Sequence, residues 1–91
     1  MASAGNDGYT VAIKPSARKE LEALSDALIA RLMSKMEALA DDPRPPGCKK
    51  LQGFKDLWRV RVGEYRVVYV LDDKRATATV TRIAHRREVY E

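Results

Sequence analysis

The sequence predicts an α+β fold: an N-terminal strand, a two-helix hairpin, then an antiparallel β-meander forming one sheet with the helices packed on one face. Three observations carry this. Tyr9 to Ile13 alternates with period two, an apolar stripe recurs at three-four spacing between residues 28 and 40, and three strand-like runs follow from Leu57 between turn signals.

Each element has a local reason. Tyr9-Thr-Val-Ala-Ile13 contains β-branched residues and reads as a strand that Pro15 stops. Ser16 is expected to cap a short helix from Ala17 to about Leu24, with Ala17, Leu21 and Leu24 on one side. Ser25-Asp26 marks a break and a fresh helix start, with Asp26 favourable near the positive end of the helix dipole. The second helix carries Leu28, Ile29, Leu32, Met33, Met36, Leu39 and Ala40 along one apolar stripe and stops before Asp41-Asp42-Pro43. Residues 41–56 read as an irregular stretch containing Pro43, Pro45, Pro46, Gly47 and Gly53, and a loop of this length in a small domain is often functional. Lys49 and Lys50 lie in it. The three later runs are Leu57–Val62, Tyr65–Leu71 and Ala76–Ile83. Gly63-Glu64 suits a two-residue hairpin turn between the first two, and Asp72-Asp73-Lys74-Arg75 a four-residue turn before the third.

With 91 residues the chain has room for one domain, expected over residues 9–91 behind a flexible stretch at residues 1–8. Hydrophobic residues make up 45% and charged residues 33%, a globular balance rather than a disordered one. No apolar run approaches the roughly 18 residues needed to cross a bilayer, and the opening residues lack the basic and apolar regions of a signal peptide. Cys48 is the single cysteine, so an intrachain disulfide is excluded and a reducing compartment, the cytoplasm, is expected. Its loop position beside Pro46-Gly47 suits an incidental thiol better than a nucleophile.

Charge is unevenly distributed. Residues 1–43 hold five Lys/Arg against seven Asp/Glu, a net of −2, whereas residues 44–91 hold twelve against six, a net of +6. The basic half suits either a polyanionic partner, nucleic acid first, or a solvated basic surface.

Read with both turns literal, Val62 pairs with Tyr65, Arg61 with Arg66 and Arg59 with Val68, while Leu71 pairs with Ala76, Val68 with Thr79 and Arg66 with Thr81. One face then collects Trp58, Val60, Val62, Tyr65, Val67, Tyr69, Leu71, Ala76, Ala78 and Val80. The other collects Arg59, Arg61, Arg66, Thr77, Thr79, Thr81 and, further along, His85. A one-residue slip would place three arginines in the core, so the alternation constrains the register. Like charges directly opposite each other are destabilising, and an anion between guanidinium forks relieves them. A carboxylate from a loop or tail would do so as well.

The tail His85-Arg86-Arg87-Glu88-Val89-Tyr90 follows the last run. His85 is the one histidine, the residue type whose ordinary charge change falls near neutral pH, so it is a candidate acid or base. Tyr90 can stack on a base or pack the tail onto the sheet. No Gly-rich phosphate loop and no zinc-type Cys/His cluster is present, and Asp41-Asp42 and Asp72-Asp73 read as a helix exit and a turn. No metal or other cofactor is therefore expected. A nuclease on this face is expected to use RNA, whose own 2′-hydroxyl can attack the adjacent phosphate, with cations to stabilise the phosphorane.

Over roughly Tyr9 to Tyr90 the chain resembles the RelE/ParE toxin superfamily. The resemblance is carried by the strand running into a helical hairpin, Lys50-Leu51-Gln52-Gly53, Leu57-Trp58-Arg59-Val60-Arg61-Val62-Gly63-Glu64-Tyr65-Arg66-Val67-Val68-Tyr69, and the closing His85-Arg86-Arg87-Glu88-Val89-Tyr90. The closing segment looks more like the RelE side. The resemblance implies a toxin of a type II toxin–antitoxin system, an mRNA interferase that enters the ribosomal A site, with a cognate antitoxin as partner, a possible toxin–antitoxin hetero-oligomer, and no membrane association. By position it implies that Arg59 and Arg61 replace paired lysines of some relatives, Arg66 holds the scissile phosphate, Arg86 acts near the leaving group and Tyr90 orients or stacks the RNA. Lys49, Lys50 and Arg87 are further RNA-binding candidates. An arginine, unlike a lysine, essentially cannot shed its proton, so His85 is the candidate base. The alternative within the superfamily is a ParE-like toxin that inhibits DNA gyrase without cutting RNA.

Overall fold

The structure, a computed structural model, describes residues 8–88. The expected flexible start therefore lies, but for Gly8, outside the described residues, as does Tyr90. The elements are β1 (Thr10–Ile13), α1 (Pro15–Glu22), α2 (Asp26–Ala38), β2 (Lys49–Lys50), β3 (Leu57–Val62), β4 (Tyr65–Asp72), β5 (Thr77–His85) and a 3₁₀ turn at Arg86–Glu88. The α+β architecture is as the sequence predicts, with one strand more.

Pro15 begins the first helix rather than merely stopping the strand. It occupies the first helical turn behind Lys14, which is extended (φ −65°, ψ 151°) as the residue before a proline must be. Ser16 lies inside α1 and caps nothing, because proline's fixed φ already suits the first helical position. Ser25 does cap α2, its hydroxyl accepting from the Leu28 N–H at 3.3 Å, with Asp26 in the first turn.

Among the described residues the sheet runs β1-β5-β4-β3-β2, with β1 parallel to β5 and the other pairs antiparallel. The additional strand is β2, cut from the loop expected to be irregular: Lys49 pairs with Arg59 and Lys50 with Trp58. A two-residue strand has too few alternations to show as a period.

The helices cover one face. Ala17 and Leu21 from α1, Leu32 and Met36 from α2 and Leu39 at its C-cap meet Val60, Val67, Tyr69, Leu71, Ala78, Val80 and Ile83 in one buried cluster. A buried leucine such as Leu32, with 0% exposure, is worth about 2–5 kcal/mol when truncated to alanine. The Tyr69 hydroxyl donates to the Pro43 carbonyl at 2.8 Å, which ties the irregular segment to the core. Burial, followed by the nearby Cys48, pushes that phenol well above the ordinary tyrosine range.

The first hairpin has the expected register, with Val62 opposite Tyr65, Arg61 opposite Arg66 and Arg59 opposite Val68. The second does not. Asp72 closes it against Thr77, leaving a loop at 73–76 that ends on Ala76 in the left-handed region (φ 52°). Leu71 therefore faces Ala78 rather than Ala76, and Val70 rather than Val68 faces Thr79. Between Val68 and Tyr69 the register then slips once more, since Tyr69 faces Val80 while Val68 faces Arg82. Thr81 is the extra residue of this β-bulge, and its hydroxyl donates to the Val68 carbonyl at 3.3 Å.

The bulge inverts the pleat beyond Thr81. Ile83 comes to the core face at 3% exposure, opposite Val67, and Ala84 rather than Thr81 stands opposite Arg66. His85 lands opposite Tyr65, on the helix-covered side and not with the arginines. Unbroken alternation would have turned Ile83 outward, and burying it is the physical reason for the inversion.

Candidate functional site

The face away from the helices is built from three crossing rows. Lys49, Arg59, Val68 and Arg82 form one row across β2 to β5, and Arg61, Arg66 and Ala84 form the next. Val68 and Ala84 make a floor with 6% and 3% exposure. Leu57, Val70 and Thr79 form the third row, toward the other end of the sheet.

Arg59 and Arg66 are sunk into this face, with 6% and 8% exposure, whereas Arg61 stands exposed and its Nε donates to the Gly63 carbonyl at 3.3 Å. The pairing register thus brings three guanidinium groups close together on this face, two of them buried. The hairpin turn that aligns them depends on Gly63 at φ 60°, a left-handed conformation that glycine takes without penalty.

Arg86 joins the same end of the sheet. Its N–H donates to the Glu64 carbonyl at 2.7 Å and its Nε pairs with the Glu64 carboxylate at 3.0 Å, so the 3₁₀ turn is strapped to the hairpin turn. Arg87 is exposed, and its backbone N–H donates to His85 Nδ1 at 3.3 Å. Lys49 shares the arginine face through its pairing with Arg59, while Lys50 pairs with Trp58 and points to the other side. The structure thus gathers Arg59, Arg61, Arg66 and Lys49, brings Arg86 to their edge, and separates His85 and Lys50 from them.

Arg82 was absent from the sequence-derived set. Its row position opposite Val68 follows from the bulge, and Glu20 of α1 reaches it at 3.8 Å while also accepting from the Ile83 N–H at 2.8 Å. One signal was available: uninterrupted alternation through Thr81 puts Arg82 inward and Ile83 outward, a mismatch that a one-residue bulge resolves.

A second polar cluster lies toward the opposite end. Asp73 accepts from the Tyr9 hydroxyl and from Arg44 Nη2, the latter at 2.9 Å, and the Arg44 guanidinium sits 4.9 Å from the Trp58 ring centre. The bonds from Arg44 and then Tyr9 hold the Asp73 carboxyl below its ordinary range. Tyr9 is shifted upward by its bond to Asp73. This cluster ties β1 and the irregular segment to the β4–β5 turn. Among the described residues no three His, Cys, Asp or Glu side chains gather as a metal site, and no helix is long and apolar enough to cross a membrane.

A helical hairpin on one face of a five-stranded mixed sheet defines a class of fold also seen in solved toxin structures. The RelE–RelB complex of Pyrococcus horikoshii superposes with a TM-score of 0.79 at 29% identity, covering 90% of this chain and 99% of that one. The RelBE2 toxin–antitoxin complex of Mycobacterium tuberculosis gives 0.77 at 28% identity, covering 86% and 98%. In sequence, the toxin RelG of Mycobacterium tuberculosis is 28% identical over 83 residues, 90% of this chain and 95% of the relative. The putative toxin RelE1 of Methanocaldococcus jannaschii is 28% identical over 88 residues, 91% and 96%. The family described as the ParE toxin of the type II toxin–antitoxin system parDE matches residues 11–90, and the chain belongs to this family within the RelE/ParE superfamily.

Proposed function

We propose that this toxin is an endoribonuclease that cuts mRNA in the ribosomal A site and so stops translation. The observation that carries the reading is the Arg61–Arg66 pair, two like charges directly opposite across β3 and β4 with Arg59 in the next row. A phosphodiester lying over them meets two adjacent guanidinium forks, which match phosphate oxygens. The RelE names of the sequence relatives support this branch of the superfamily over gyrase inhibition.

In this reading the RNA 2′-oxygen attacks the adjacent phosphorus as its proton passes to solvent water, which also returns one to the leaving oxygen. The phosphorus–O5′ bond breaks and the 5′-oxygen takes up a proton, leaving a 2′,3′-cyclic phosphate and a 5′-hydroxyl. The nucleophile is internal to the substrate, so the reaction is written without a metal. Arg66 and Arg61 hold the phosphate, and with Arg59 they stabilise the charge of the phosphorane. Arg86, steadied by Glu64, stands near the leaving group, Tyr90 stacks on or orients the RNA, and Lys49 and Arg87 contact flanking phosphates. His85 lies on the other face, and arginine does not serve as a base. Acceleration therefore rests on alignment and charge stabilisation rather than on a protein base.

A cognate antitoxin is the proposed partner, as in the RelB-bound relatives, and the cytoplasm, with its ribosomes, the proposed site of action. Primer extension on a defined message in a purified translation system tests the activity with wild type and Arg66→Ala. Discrete cuts within the A-site codon, lost in the variant, are expected. Intact message with folded wild type would overturn the nuclease reading and favour gyrase inhibition.

A further inference from the structure

A groove lies outside the arginine face, where α2 passes the β3–β4 turn. It is open, encloses about 610 Å³, and is lined by Arg31, Ser34 and Lys35 of α2 and by Arg61, Val62 and Gly63 of the hairpin, with Ala30 and Ala38 keeping the helix side shallow. Every charged residue of this lining is basic.

Two guanidinium groups converge on Gly63. Arg61 Nε donates to its carbonyl at 3.3 Å, and Arg31 Nη2 lies 3.3 Å from where a β-carbon at that position would be. Lys35 follows Arg31 by one helical turn, so like charges stack along α2 as well. Neither Arg31, Lys35 nor Arg61 pairs with a carboxylate among the described residues. Glu64, the acid of the turn itself, is taken by Arg86. Three cations that the described residues leave without a paired carboxylate form a site for an anion.

We infer that this groove binds the phosphodiester backbone of RNA and extends the track that begins at Arg66. The inference rests on the nuclease reading. Arg61 is the link, because it belongs both to the row with Arg66 and to the groove wall. A strand whose scissile phosphate sits over Arg61 and Arg66 has its next phosphates at the mouth of the groove, where Arg31 and Lys35 receive them. Two guanidinium forks and an ammonium suit successive phosphates of one backbone, and the shallow Ala30, Ser34 and Ala38 surface admits it closely. Such contacts strengthen binding without reading bases.

The test uses the full-length toxin and oligoribonucleotides of about 4 and about 12 nucleotides, each with one 2′-deoxy residue to block cleavage, followed by fluorescence anisotropy at several salt concentrations. The longer RNA is expected to bind wild type more tightly. Arg31→Glu/Lys35→Glu is expected to weaken the longer RNA at least tenfold, to leave the shorter one within twofold, and to reduce the salt slope by about 1.4, since each phosphate contact on a single strand contributes about 0.7. Arg18→Glu/Lys19→Glu on exposed α1 positions carries the same change in net charge and is expected to do far less. Equal losses in the two double variants, or no loss in the groove variant, overturn the inference while leaving the nuclease reading intact. A groove variant that keeps RNA binding but no longer binds an acidic peptide would assign the groove to a protein partner and overturn it too. Wild type that binds neither RNA, with Arg66→Ala indistinguishable from it, strikes the nuclease reading itself.

Discussion

Tyr65 and His85 stand directly opposite each other on β4 and β5, their ring centres 5.4 Å apart and their planes at 80°. This edge-to-face contact sits at the helix-side end of the sheet, while Arg66, the next residue along β4, faces the other way. An edge-on aromatic pair is worth about 0.5–1.5 kcal/mol beyond its buried area. His85→Ala is expected to lower stability by about 1 kcal/mol in urea melts, yet to leave the cleavage rate within about threefold and the pH–rate curve without a lost inflection. A hundredfold loss in a folded variant would return His85 to the chemistry.

Arg61 and Arg66 should separate stability from activity. Removing Arg61 relieves a like-charge pair whose cross-strand repulsion is of the order of 0.2–1 kcal/mol. Arg61→Ala is therefore expected to melt at or slightly above the wild-type temperature while cleaving at least tenfold more slowly. A variant that is less stable and fully active would contradict the anion-binding role of the pair.

Gly63 is constrained twice, by its φ of 60° and by Arg31 at 3.3 Å from its would-be β-carbon. Gly63→Ala is expected to cost about 1–2 kcal/mol, the penalty of a left-handed alanine, with some relief because the Arg31 side chain can swing away. Combining it with Arg31→Ala should recover only the steric part. Full recovery in denaturant titration would show that the backbone conformation is not the main term.

Glu20 satisfies the Ile83 N–H at 2.8 Å on the part of β5 that β1 does not reach. Glu20→Ala strips a part-buried amide of its acceptor and is expected to cost about 1–3 kcal/mol. Glu20→Gln keeps an acceptor and should lose much less. Amide exchange at Ile83 discriminates the two: fast in the alanine variant, near wild type in the glutamine variant.

Asp73 predicts an acid limb. Its folded pKa is depressed by Arg44 and Tyr9, so its contribution is present above the unfolded value, near 3.9, and is lost as pH falls through the lower folded value. Tyr9 works in the opposite sense: its raised pKa makes the bond to Asp73 fully present below pH about 10, and lost as pH rises through the folded value. Asp73→Asn should flatten the stability profile below pH about 4 relative to wild type, while the mid-pH plateau drops. Parallel profiles for both proteins would rule this linkage out.

Local pattern settled much of this molecule in advance. The Leu32, Met36 and Leu39 stripe, the helix start at Ser25-Asp26 and the Gly63-Glu64 turn are each short-range signals, and the structure follows them. The β3–β4 register was legible because a slip would have buried three arginines, a penalty large enough to exclude the alternative. Hence Arg59, Arg61 and Arg66 could be placed on the face away from the helices from the sequence alone.

The second hairpin was decided by contacts distant in sequence. Its turn residues allow more than one closing pair, and the choice of Asp72 against Thr77 accompanies the parallel pairing of Thr10–Ile13 with β5 and the bond from Tyr9 to Asp73. The bulge at Thr81 answers a demand from the core, since Ile83 must meet Val67 and the helices while Glu20 supplies the acceptor its N–H needs. That one extra residue carries Arg82 onto the arginine face and His85 off it. A period of two shows which residues alternate, but only packing against α1 and α2 determines where the alternation breaks.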